Sequence, residues 1–318
     1  MNYPSASPTV SASGLAFRYA QGSDPTLPPI ILLHGLSQQS DFWLPVVDAL
    51  GSRYTTVSVD LRGHGESRHL PPDYRIAQVA QDCIDLADEL GFSSACIVGH
   101  SWGASIALNI AAKFPLRSRN CVLIDGGAFT PANILESGSI TREELITALT
   151  PPLGPFTEDE LNTHYLPSHI GLSAHHKRSI MSAIKRSYTP VPQGGWVTTI
   201  GFERHMTVVE AFLEYNPDSD LTSVEVPTWI LMARDAFTPA MTPSMDSRAT
   251  DSWADARAQV NTKVRGKSNI ALQHWYGAVH DVPLYWPIQV SQLISHAVSY
   301  SEFTPELTSV LGGKDTLA

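Results

Sequence analysis

Apolar residues recur along the chain at two spacings, and the spacing alternates. Short buried runs of β-branched and aliphatic residues occur at Pro29–Leu33, Tyr54–Asp60, Ala95–His100, Cys121–Asp125, Thr228–Met232 and Ala271–Tyr276, and Gly14–Ala20 reads as an edge strand. Between them lie helical patterns. Asp41–Leu50 places Phe42, Pro45, Val46 and Ala49 toward one face. Arg75–Leu90 carries Ile76, Val79, Ala80, Cys83, Ile84, Ala87 and Leu90, an i, i+3, i+4, i+7 stripe closed by Gly91 as a C-terminal cap. Further helices are predicted over Ser105–Phe114, Asp251–Val260 and Pro287–Tyr300, and the tail after Ser301 is polar. Such alternation predicts an α/β fold with a doubly wound, mostly parallel sheet, whose ligands bind at the carboxyl ends of the strands.

The alternation stops at about Ala128 and resumes after Thr222. The intervening stretch has proline-rich joints, Thr150-Pro151-Pro152 and Pro190-Val191-Pro192, with short helical runs and no clear buried strand. It predicts a mainly helical lid inserted into the sheet domain: core over 1–127, lid over 128–222, core again over 223–318. Phe202, Met206, Val209 and Leu213 share one helical face there, with Phe129, Tyr188 and Trp196 elsewhere in the insert.

Composition narrows the picture modestly. In 318 residues, 43% hydrophobic and 16% charged, there is enough chain for a large α/β domain with an insertion. The net charge of −10 opposes polyanion binding, so nucleic acid is not an expected partner. No basic segment leads into an apolar run at the start, and no apolar stretch approaches membrane-spanning length. A cytoplasmic protein with no membrane insertion is expected. Cys83, Cys96 and Cys121 fall inside predicted elements and read as buried thiols.

The chemistry concentrates in one short run. Ile97-Val98-Gly99-His100-Ser101-Trp102-Gly103-Ala104 takes a strand through a small-residue turn into a helix. A serine hydroxyl is a weak nucleophile, and this sharp bend exposes it beside a base that removes its proton. His280 follows the last strand and so reaches the same sheet edge, as general base and then acid. Asp235, at the end of its own strand, is placed to orient the His280 ring. Asp125 also ends a strand and is the competing acid, with Asp246, Asp251 and Asp255 as more remote candidates. The backbone N–H of Trp102, at a helix N-terminus, and that of Leu36 are candidate donors to an oxyanion. His34 and His100 read as supporting hydrogen-bonding residues, and Arg62 and His64 as braces of their turn. No zinc-protease spacing, dinucleotide fingerprint or P-loop occurs, so no cofactor and no metal are expected.

Taken in order, these motifs resemble the α/β-hydrolase superfamily. His34-Gly35 resembles its oxyanion loop, Asp60-Leu61-Arg62-Gly63-His64-Gly65-Glu66-Ser67 its D-x-R-G-x-G-x-S turn, and Gly99–Gly103 its nucleophile elbow. The loops around Asp235 and Gly277–Pro283 are similar to those carrying acid and histidine. The resemblance implies a serine hydrolase acting on a small or medium carboxylic ester or lactone through an acyl-Ser101 intermediate. Carbon-carbon bond hydrolysis of a diketone-like substrate and a slow-turnover small-molecule receptor are the alternatives. Ser101 stands where epoxide hydrolases and haloalkane dehalogenases need aspartate. Candidate substrate-binding residues are Phe129, Trp196, Phe202, Met206, Phe237 and Val282.

Overall fold

The computed structural model describes residues 8–151, 154–166, 170–233 and 247–299, with the side chains of 247–250 excepted. Its main sheet comprises β1 (Thr9–Val10), β2 (Ala16–Ala20), β3 (Ile30–Leu33), β4 (Thr56–Asp60), β5 (Ala95–His100), β6 (Ser118–Ile124), β9 (Thr228–Ala233) and β10 (Ile270–Trp275). The hairpin β7 (Tyr188–Pro190) and β8 (Trp196–Thr198) stands apart. The order across the sheet is β1-β2-β4-β3-β5-β6-β9-β10, antiparallel at the β1 and β2 end and parallel from β4 onward. The strand expected at the edge, β2, is second from it, because the two residues of β1 pair with Ala16 and Phe17 on its outer side.

Helices cover both faces: α1 (Leu44–Leu50), α2 (Ile76–Glu89), α3 (Trp102–Lys113), then α4 (Pro131–Glu136), α5 (Arg142–Leu149), α6 (Glu158–Tyr165), α7 (Ala174–Ile184), α8 (Phe202–Leu213) and α9 (Asp218–Ser223) between β6 and β9, and finally α10 (Ser247–Lys263), α11 (Val282–Tyr285) and α12 (Pro287–Ser299). Successive strand residues point to opposite faces, so each strand feeds two cores. Ile31, Leu33, Ile97 and Leu123 join α2, α3 and α10 in one cluster. Ile30, Leu32, Val98, Val122 and Leu231 join α1 and α12 in the other. That double burial explains the continuous apolar runs in the sequence.

The segment between β6 and β9 divides between the same two clusters. Ile134, Leu145, Val208, Val209 and Leu213 pack into the first, and Leu161, Tyr165, Ile180 and Ile184 into the second. It therefore straddles the sheet edge rather than hanging from one side. A charged contact fixes it further. Arg186, just after α7, donates to Asp60 Oδ2 at 2.8 Å, Asp41 Oδ1 at 3.0 Å and Gln39 Oε1 at 2.9 Å, and Arg18 also pairs with Asp41. Asp60 is fully buried and accepts the N–H groups of Ser40 and Glu66. Burial raises its pKa, but the Arg186 charge and these hydrogen bonds outweigh burial and hold it below the usual carboxylate value. Arg62 braces its turn as expected, through a bidentate pair with Asp82 at 2.6 and 2.7 Å and a bond to the Pro71 carbonyl.

Candidate active site

Ser101 sits at φ 54°, ψ −119°, between the end of β5 and the first residue of α3. Positive φ is costly for a residue with a Cβ, of order 1–3 kcal/mol, and the surroundings must enforce it. Two glycines make room. A Cβ on Gly99 would lie 2.2 Å from the Gly103 carbonyl oxygen, and one on Gly103 would lie 2.4 Å from the carbonyl oxygens of Leu33 and His34. Strand and helix thus cross too closely for any side chain, and Ser101 is lifted above the sheet edge.

His280 lies in the loop after β10. Its Nε2 is 3.0 Å from Ser101 Oγ and its Nδ1 is 2.6 Å from Asp125 Oδ2. Because Asp125 supplies an acceptor at Nδ1, that nitrogen carries the proton and Nε2 is free to accept from the serine. The carboxylate that meets His280 is Asp125, the competing candidate; Asp235 and Phe237 lie outside the described residues. The pairing of strands accounts for it. His100 faces Ile124 in register, so Asp125 follows β6 directly beside Ser101. Asp125 is fully buried, at φ 44°, and accepts from Ala233 N at 3.0 Å and from Arg257 Nη2 at 3.1 Å. Burial alone would raise its pKa. The Arg257 charge and the hydrogen bond from His280 overcome that and hold it at about 2.

The neighbouring histidines are neutral supports. His100 Nε2 donates to the His280 carbonyl at 2.9 Å, which pins the loop that carries His280. Gln38 links the loop after β3 to that same loop, accepting from Gly35 N at 3.0 Å and donating to Asp281 Oδ1 at 2.9 Å. His34 Nδ1 donates to the Gly35 carbonyl at 2.7 Å, and its Nε2 accepts from Leu61 N at 3.1 Å. Burial pushes His34 and His100 down to about 4 and His64 well below its ordinary value.

A cavity of about 700 Å³ opens over Ser101 and His280. Leu36 and Trp102 line its floor, and Trp102, as the first residue of α3, has a backbone N–H beyond the reach of intrahelical bonding. The roof comes from the segment after β6: Phe129, Leu149, Phe156, Tyr165, Tyr188 and Val209 are among its lining residues, with Trp253 from α10. Of the proposed substrate contacts, Phe129 faces this space. The other described ones do not line it. Phe202 is 46% exposed, Met206 and Trp196 pack against the cores, and Val282 is fully buried in the second cluster. A helical stripe marks a buried face without saying which neighbour buries it. Gln38, Asp281, Arg257, Tyr165, Tyr188 and His205 were not read from the sequence as site residues. Gln38, two residues beyond Leu36, and Asp281, next to His280, sit beside residues that the sequence did single out.

The family model described as alpha/beta hydrolase fold matches residues 28–205, more than half of the chain. The chain belongs to the alpha/beta hydrolase fold family. It is similar to "Putative carbamate hydrolase RutD" of Caulobacter vibrioides, 38% identical over 98 residues that cover 30% of this chain and 36% of that protein. The chain spans about a third of the length of the curated relatives it matches. Among solved structures, E-2-(acetamidomethylene)succinate hydrolase superposes with a TM-score of 0.66 at 22% identity, covering 93% of this chain and 99% of that one. The enol-lactonase from Burkholderia xenovorans superposes with a TM-score of 0.61 at 16% identity, covering 92% and 100%. These structural likenesses show the fold, and hydrolases are the named company this chain keeps. No helix among the described residues is long and apolar enough to cross a membrane.

Proposed function

We propose that the chain is a serine hydrolase that cleaves a small or medium carboxylic ester or lactone through an acyl-Ser101 intermediate. The observation that supports it is the continuous chain of hydrogen bonds from Ser101 Oγ through His280 to Asp125, at 3.0 and 2.6 Å. In this reading His280 Nε2 takes the serine proton as Oγ attacks the substrate carbonyl. Asp125 holds the ring in the tautomer that can do so and stabilises the imidazolium that results. The Leu36 and Trp102 N–H groups receive the oxyanion, and the dipole of α3 adds to their effect. Collapse of the tetrahedral intermediate expels the alcohol, which takes the proton from His280, and water then repeats the sequence on the acyl-enzyme. The 700 Å³ cavity suits a small or medium acyl group. The insert acts as its lid, the enzyme needs no cofactor, and its partner is the small-molecule ester or lactone itself. The test is hydrolysis of a p-nitrophenyl ester and a lactone panel by wild type and Ser101→Ala. The variant is expected to fold and to lose kcat by about 10³-fold or more; near wild-type turnover by the purified variant would rule the reading out.

A further inference from the structure

Ser37 follows directly on Leu36 and is held at φ 68°, a conformation that strains a residue with a Cβ. It is gripped from two sides. Its backbone N–H donates to His64 Nε2 at 3.2 Å, while His64 Nδ1 donates to the Arg62 carbonyl at 3.0 Å. Its hydroxyl meets His205 Nδ1 at 2.7 Å, and His205 Nε2 is 3.1 Å from the Leu149 carbonyl. A carbonyl only accepts, so His205 carries its proton on Nε2 and its Nδ1 accepts from Ser37. Both histidines are buried, and burial pushes each below its ordinary pKa. The His64 contact lies within the core, between the loops after β3 and β4. The His205 contact crosses from α8 of the insert to the loop carrying Leu36, and both Ser37 and His205 line the cavity.

We infer that Ser37 and His205 form a latch through which the insert sets the position of the Leu36 N–H. Neither residue touches the reacting atoms in this account; both are positioning residues. The inference rests on the proposed role of Leu36 as oxyanion donor. A strained turn next to an oxyanion donor relaxes once one of its two anchors is removed, and the donor turns away from where charge develops. The effect then falls on transition-state binding and spares the ground state, because the cavity wall is otherwise intact.

The experiment compares an alkylboronic acid, which adds to the serine and places a negative oxygen in the hole, with the neutral amide of the same chain length, which does not. Binding of both is measured for wild type, Ser37→Ala, His205→Ala, the double variant, His205→Asn and Ser101→Ala. We expect each single alanine variant to weaken boronate binding about 10-fold with amide binding within 2-fold. The double variant should be no worse than either single one, since both remove the same link. His205→Asn, which keeps an acceptor for the Ser37 hydroxyl, should retain most of the affinity. Unchanged boronate binding, equal losses for boronate and amide, additive losses in the double variant, or an asparagine variant as impaired as alanine would each overturn the latch. Wild type binding the boronate no more tightly than Ser101→Ala does would instead overturn the serine reading, and the latch with it. Should His205→Ala fail to fold, the Ser37→Ala and His205→Asn measurements still decide the matter.

Discussion

The sheet edge and the roof above it are built by different means. At the edge, position is set over a few ångströms by covalent neighbours and by backbone crossings that admit no Cβ, as at Gly99 and Gly103. In the roof, apolar packing into the two cores is joined by polar contacts between residues more than a hundred apart, such as Arg186 with Asp60 and His205 with Ser37. The first kind of constraint writes a local motif into the sequence. The second leaves no local trace, although it shapes the cavity just as firmly.

The sharpest probe of the edge is the choice of acid. Asp125→Asn is expected to lower kcat by two to four orders of magnitude with little change in KM, because it removes the carboxylate that orients and stabilises protonated His280. Asp235→Asn should be mild by comparison. Steady-state kinetics of the two variants checks this, and the reverse ranking would move the acid to the end of β9.

Next in size is the rivet between roof and core. Arg186→Leu leaves Asp60 charged, buried and without its cation, and is expected to destabilise the fold by about 3 kcal/mol, the lower end of the range because Arg186 is a quarter exposed. Urea unfolding of the variant measures it. A loss below about 1 kcal/mol would mean that the apolar contacts of the insert alone hold the roof in place.

The histidines of the sheet edge also tie stability to pH. His34 and His100 have folded pKa values depressed to about 4. Their neutral forms are favoured in the folded state, so the unfolded chain binds more protons once pH drops below about 6.5. Stability should therefore be flat above neutral pH and fall between about 6.5 and 4, by about 1.4 kcal/mol per pH unit for each such histidine. Asp125, depressed to about 2, loses its contribution only below about pH 4, as pH falls toward 2. Urea midpoints at pH 7, 6 and 5 test the histidine window, and equal midpoints across it would contradict the burial argument.

What could be read from the sequence follows the same division. The strands and the bend at Ser101 were legible because double burial gives continuous apolar runs and because a turn this sharp needs glycines at fixed offsets; the structure brings His280 within 3.0 Å of that serine. The acid was ambiguous: Asp125 and Asp235 both follow strand ends, and what favours Asp125 in space is Arg257, distant in sequence, together with the N–H of Ala233. The substrate wall was least legible. Phe129 and Val209 line the cavity, whereas Phe202 and Met206, on the same helical stripe as Val209, do not, since periodicity reports burial and not the identity of the covering surface.

The proposed mechanism has Ser101, activated through His280, carry the acyl group. Intact-protein mass spectrometry after brief treatment with a fluorophosphonate, followed by peptide mapping, tests it most directly. A single adduct on Ser101 is expected in wild type and none in Ser101→Ala. An adduct on another residue, an unlabelled wild type, or equal labelling of the variant would contradict it.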